Sequence, residues 1–127
     1  MKFAGLGAGS GRNALRERQH ADRLATPPLR QRYPQLTSLE IDFDFSDSTG
    51  SLPSPLMTVF HPPAPAYFSF VCPYNDCDGE FKMTKLVDLA VSSREPRTSG
   101  QLSCSGTRHR GAACTLCLEY AISPRWA

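Results

Sequence analysis

The residues of this chain with the most chemistry to offer are its five cysteines, Cys72, Cys77, Cys104, Cys114 and Cys117. Structural zinc takes four thiolates or imidazoles in a tetrahedron, commonly delivered as two pairs from two tight turns. Cys72-Pro-Tyr-Asn-Asp-Cys77, followed by Asp78-Gly79-Glu80-Phe81, reads as one such turn. Proline after the first ligand and glycine shortly after the second favour a sharp reversal whose amides face the sulfurs. Cys104, followed by Ser105-Gly106, starts a second turn. Cys114, Cys117 and His109 contend for the fourth position. In a strand, Cys114, Leu116, Leu118, Tyr120 and Ile122 share one face, and Thr115, Cys117, Glu119 and Ala121 share the other. The apolar face must turn inward, so Cys114 is expected to join Cys72, Cys77 and Cys104 around one structural zinc ion. Cys117 is then the spare thiol, and Cys117 and His109 stay open as alternatives to Cys114.

The pattern resembles the zinc-ribbon superfamily, whose usual motif is Cys-Pro-x-x-Cys-Gly followed by an aromatic residue, with a second cysteine pair across a hairpin. The matching residues are Cys72-Pro73, Cys77 with Gly79 and Phe81, Cys104 with Gly106, and Cys114, so the resemblance covers residues 68 to 122. It implies a zinc-stabilised domain built on two knuckles. The C-x4-C and C-x9-C arrangement is also similar to that of a group of bacterial proteins, a likeness that brings no function with it. Both spacings exceed the ribbon's usual two, and a predicted helix interrupts the space between the pairs.

Rival chemistry fits less well. Cys104-Ser-Gly-Thr-Arg-His-Arg110 has the C-x5-R spacing of cysteine phosphatases. It lacks the preceding histidine and the following hydroxyl, and it leads into a strand rather than a helix whose N-terminus could face phosphate. Cys114-Thr-Leu-Cys117 has dithiol spacing, but within an alternating strand its sulfurs diverge. His20 and His61 have ordinary polar surroundings. Arg108, His109 and Arg110 form a basic tip beside the second cysteine pair.

The elements that must position these residues are mostly strands. Leu39-Glu-Ile-Asp-Phe-Asp-Phe45 alternates without a break, which buries Leu39, Ile41, Phe43 and Phe45 and leaves Glu40, Asp42 and Asp44 on a solvated face, with arginines of the N-terminal region lying across it. Residues 46 to 50 read as a turn. Further strands are predicted over Met57–His61, Ala66–Val71, Gln101–Cys104 and Cys114–Ile122. Residues 84 to 91 read as a short helix with Leu86, Leu89 and Ala90 inward and Thr84 as N-cap. Residues 13 to 25 are good helix formers whose apolar positions make only a ragged stripe, and the glycine-rich opening is expected to be mobile.

The 127 residues include 11 prolines and 9 glycines, which limits the chain to one small core that a metal would help to hold. The expected fold class is α+β, a small antiparallel sheet with one short helix and a zinc-ribbon-like site, over residues 34–124. A basic, partly helical or disordered arm (1–33) precedes it and a tail (125–127) follows. Residues 1–33 carry seven Lys/Arg against two acids, 34–80 seven acids and no Lys or Arg, and 81–127 seven bases against three acids. No secretory signal or membrane-spanning run is evident in the sequence, so the expectation is a reducing cytoplasm, where clustered cysteines bind metal. A zinc ion closed in by four thiolates offers no catalytic position, so the chain reads as a non-enzymatic protein-interaction module without a small-molecule substrate. The alternative is a nucleic-acid binder using Arg108, Arg110 and the arginine-rich arm.

Overall fold

A computed structural model describes residues 8–47 and 56–127. The architecture is α+β. Its main sheet is antiparallel with strands in the order β2-β1-β6-β5, where β1 is Leu36–Ser46, β2 Leu56–Phe60, β5 Thr98–Ser103 and β6 Cys117–Trp126. A second, two-stranded sheet pairs β3 (Ser69–Val71) with β4 (Glu80–Lys82). The helices are α1 (Ala8–Ala25), α2 (Leu29–Arg32) and α3 (Thr84–Ser93).

Alternation along β1 does what its sequence requires. Leu39, Ile41 and Phe43 are buried, and Ile41, Phe43 and Phe45 stand opposite Ile122, Tyr120 and Leu118 of β6. The apolar side chains of both strands thus share one face of the central pair, where cross-strand contacts hold the sheet. Phe68, Phe81, Met83 and Val87 close the core from the smaller sheet and α3.

Several boundaries differ from the sequence reading. β6 begins at Cys117, not Cys114, and runs through Trp126, so Arg125 and Trp126 pair with Ser38 and Leu36. β4 was not expected as a strand. α3 is preceded by Met83 rather than Thr84 as its cap, and its buried stripe is Val87, Ala90 and Val91. Leu89 is 66% exposed, because the stripe centres on Val87, one step off the expected phase. The expected turn over 46–50 falls largely outside the described residues.

α1 starts at Ala8, earlier than its composition suggested, so residues 8–11 of the glycine-rich opening are helical. Its buried residues are Arg12, Leu15 and Gln19, spaced three and four apart on one face. Two of these three are polar, which is why a search for apolar periodicity returns only a ragged stripe. The helix lies against β3 and the turn at His109–Gly111. After it, α2 is anchored by the Leu29 amide donating to the Ala64 carbonyl at 2.7 Å, and Leu29 and Tyr33 join the core.

The acidic face of β1 is covered differently from the expectation. Arg97 bridges Asp42 at 3.1 Å and Arg125 bridges Glu40 at 3.1 Å. Arg125 comes from the neighbouring strand β6 and Arg97 from the loop before β5, not from the N-terminal helix, because antiparallel pairing brings them onto the same face. Among the described residues no helix is long and apolar enough to cross a membrane.

Candidate metal centre

Two hairpins carry the site. The β3–β4 hairpin ends in the loop holding Cys72 and Cys77, and the β5–β6 hairpin ends in the loop holding Cys104 and Cys114. In the first loop the Cys72 amide donates to the Gly79 carbonyl at 3.0 Å and the Cys77 amide to the Tyr74 carbonyl at 3.2 Å, closing a tight reversal. The second loop is longer, and its extra residues form a hairpin of their own. Thr107 bridges Ala113, the Arg108 amide donates to the Ala112 carbonyl at 2.6 Å, and the Cys114 amide donates to the Gly106 carbonyl at 3.0 Å. The C-x9-C spacing therefore returns Cys114 next to Cys104 and leaves His109 and Arg110 exposed at the tip.

The sulfurs of Cys72, Cys77, Cys104 and Cys114 all lie within 4.8 Å of one another, and all four residues are buried. Cys77 and Cys104 approach to 3.6 Å and Cys72 and Cys114 to 4.0 Å. A tetrahedral zinc with bonds of about 2.3 Å needs sulfur–sulfur edges of about 3.8 Å, which these two pairs approach. Its donor set is soft, neutral in the thiol form and anionic once metal displaces the protons. Burial pushes the Cys72 thiol up, and it pushes the Cys104 thiol up to about 12. Without a cation, these groups stay protonated at neutral pH.

Backbone amides are already aimed at the sulfurs. The Gly79 amide donates to Cys77 Sγ at 3.3 Å and the Gly106 amide to Cys104 Sγ at 3.4 Å. The same two glycines let the knuckles touch: a Cβ on Gly79 would sit 2.4 Å from Cys104 Sγ, and one on Gly106 would sit 2.4 Å from the Gly79 nitrogen and 2.8 Å from Cys77 Sγ. Only residues without a Cβ fit this approach.

Side chains then tie one knuckle to the other. Asp78 accepts from the Thr107 amide at 2.7 Å, and the Asp78 amide donates to the Thr107 carbonyl at 3.3 Å. Asp76 accepts from Arg108 Nε at 2.7 Å and from the His109 amide at 3.2 Å, which holds its carboxyl below the usual range. The Arg108 guanidinium also lies 3.9 Å from the centre of the Tyr74 ring. Tyr74 in turn donates to Asp47 at 2.6 Å, and that bond pushes its phenol up to about 12.

Cys114, the residue that strand parity favours, lies in the four-cysteine cluster although the strand starts three residues later. Cys114 and Leu116 are buried and Thr115 is exposed, so the alternation precedes the ladder. Cys117 is half-buried and outside the cluster, and His109 is exposed. The contributions of Asp76, Asp78 and Tyr74 were not read from the sequence. The repeated Cys-x-Gly at Cys77–Gly79 and Cys104–Gly106 is the local signal that would have marked the glycines as contacts rather than turn residues. Arg12 had no such signal: it is 6% exposed, and its Nη1 donates to the Cys72 carbonyl at 2.5 Å, from a position sixty residues earlier in the chain.

The geometry is thus of a buried four-cysteine cage able to hold a metal ion. Comparison with protein-family models, with curated proteins and with solved structures finds no match for this chain.

Proposed function

We propose that Cys72, Cys77, Cys104 and Cys114 hold one structural zinc ion in a zinc-ribbon-like pair of knuckles, and that the domain it secures is a non-enzymatic protein-interaction module. The observation that carries the zinc reading is the convergence of four buried sulfurs within 4.8 Å of one another, two pairs of them close to a tetrahedral edge, with amides donating to two of the sulfurs. Four protein ligands complete zinc's shell, so neither water nor substrate has a coordination position, which argues for structure over catalysis. Structural zinc contributes about 10–16 kcal/mol of apparent binding energy, more than a core of this size has to spare.

Two features favour a protein partner. Among the described residues β2 is an edge strand, paired on one side with β1, and its Leu56 and Met57 are 58% and 59% exposed, which offers strand edge and apolar side chains together. Much of the arginine set is also consumed internally: Arg12 binds knuckle carbonyls, Arg18 pairs with Glu80, Arg32 with Asp88 and Arg108 with Asp76. Nucleic-acid binding is the second reading. It keeps Arg16, Arg30 and Arg110, which are exposed and form no ion pair among the described residues.

Elemental analysis of untagged protein tests the zinc reading, with each cysteine changed in turn to serine. One zinc per chain is expected, lost on changing Cys72, Cys77, Cys104 or Cys114 and kept in Cys117→Ser. Well-folded protein without metal removes the proposal. Binding to a nucleic-acid probe that weakens steeply with salt and with Arg110→Ala moves the second reading to first place.

A further inference from the structure

Arg12 is a buried cation whose hydrogen-bond acceptors among the described residues are two backbone carbonyls, those of Cys72 at 2.5 Å and Cys77 at 3.4 Å. None of the ion pairs among the described residues includes it. The residues outside the described segments, 1–7 and 48–55, contain no Asp or Glu, so no carboxylate is left to pair with it there. A buried charge without a counter-ion is costly. The acceptors of Arg12 are the carbonyls of the two cysteines that form the first knuckle, and zinc held by four thiolates carries a net double negative charge.

We infer that Arg12 is the counter-ion of the zinc tetrathiolate centre, so that docking of helix α1 onto the domain depends on the metal being bound. The inference rests on the zinc reading above and adds a role for the N-terminal helix. The rest of the α1 attachment is thin enough for this one contact to matter. Leu15 is its only large apolar residue that is buried, and the remaining anchors are polar. Gln19 and Arg18 donate to Glu80, at 2.6 and 2.5 Å, and Arg23 lies over the Tyr67 ring at 5.1 Å. Glu80 itself opens β4, two residues past the Asp78 that follows the knuckle. Both acceptors of Arg12 belong to the knuckle that the metal would hold in place, so loss of the metal would free both partners together. A released α1 also removes Gln19 and Arg23 from the wall of a cleft of about 300 Å³ lined by Phe43, Phe45 and Phe70.

The test uses the full chain with Arg12→Gln, which keeps a donor and loses the charge, and Arg12→Lys, which keeps the charge. Zinc affinity is read by competition with a chromogenic chelator, and docking by hydrogen exchange of the α1 amides in zinc-loaded and zinc-stripped wild-type protein. The expected result is a 10–100-fold loss of affinity in Arg12→Gln, the scale of losing an outer-shell partner, with Arg12→Lys close to wild type. As the chelator withdraws zinc, α1 protection is expected to be lost before that of the β1–β6 pair, whereas simultaneous loss of both would mark global unfolding rather than release of the helix. Wild-type affinity in Arg12→Gln, equal losses in both variants, or α1 protection indifferent to zinc would overturn the inference. If Arg12→Gln does not fold, the exchange comparison in wild-type protein decides. Wild-type protein that takes up no zinc refutes the metal reading itself, whereas one zinc per chain with an unaffected Arg12→Gln refutes only the role of Arg12.

Discussion

Replacing Gly79 by alanine should damage the metal centre without touching any ligand. The new Cβ would lie 2.4 Å from Cys104 Sγ and 3.0 Å from both the Gly106 Cα and the Gly106 nitrogen. Ordinary contacts need about 3.5–4.0 Å, so the two knuckles must separate by about 1 Å or more. Metal–ligand distances in a working site hold to within about 0.2 Å, so a shift of that size pulls Cys104 out of the shell. The new methyl group also meets the Gly106 backbone, so rotation of a flexible side chain cannot by itself relieve the clash. We expect zinc affinity to fall at least 100-fold, equivalent to about 2.7 kcal/mol, with a matching loss of thermal stability. Gly111→Ala is the control. It has φ +80° but nothing within 4 Å of the new Cβ, so it tests backbone strain alone. It should cost about 1–2 kcal/mol of stability and leave zinc affinity unchanged. Chelator competition and thermal melts of the two variants give the answer. Gly79→Ala with zinc affinity within threefold of wild type would show that the knuckles do not need this approach, and the argument from contact distances would fail.

Other expectations follow from groups away from the sulfurs. Burial, with a hydrogen bond donated to Asp88, raises the Tyr33 phenol to about 12 from an ordinary 10.0. A group whose folded pKa is raised stabilises the fold fully below its unfolded value, and that contribution disappears as pH climbs through the folded one. Stability should therefore decline between about pH 10 and pH 12. Tyr33→Phe should flatten that decline, as read by chemical denaturation across the pH range, and an unaltered profile refutes the assignment. Arg110 holds φ 70° in the tip loop, a left-handed conformation that a side chain resists, and it is exposed without an ion pair among the described residues. Arg110→Gly should raise stability by about 1 kcal/mol, measured by thermal melt. A destabilised Arg110→Gly would mean that the arginine makes a contact that matters to the fold.

Short-range rules settled a good part of this protein from sequence alone. Alternation over Leu39–Phe45 and Leu116–Ile122 assigned the buried faces of the two central strands, because side chains on a pleated backbone must alternate and the apolar set has only one place to go. The same parity selected Cys114 over Cys117, and turn chemistry after Cys72, Cys77 and Cys104 marked the knuckles. These signals are local, each contained in about ten residues. Tertiary structure decided the rest. The helix phase that buries Val87 and exposes Leu89 depends on which sheet face α3 meets, and the arginines over the acidic strand face depend on which strands pair. The capture of the knuckle by Arg12 joins residues sixty positions apart, and its polar stripe hides it from any hydrophobic pattern. A buried polar contact is chosen by its partner, and the partner is placed only when the chain has folded.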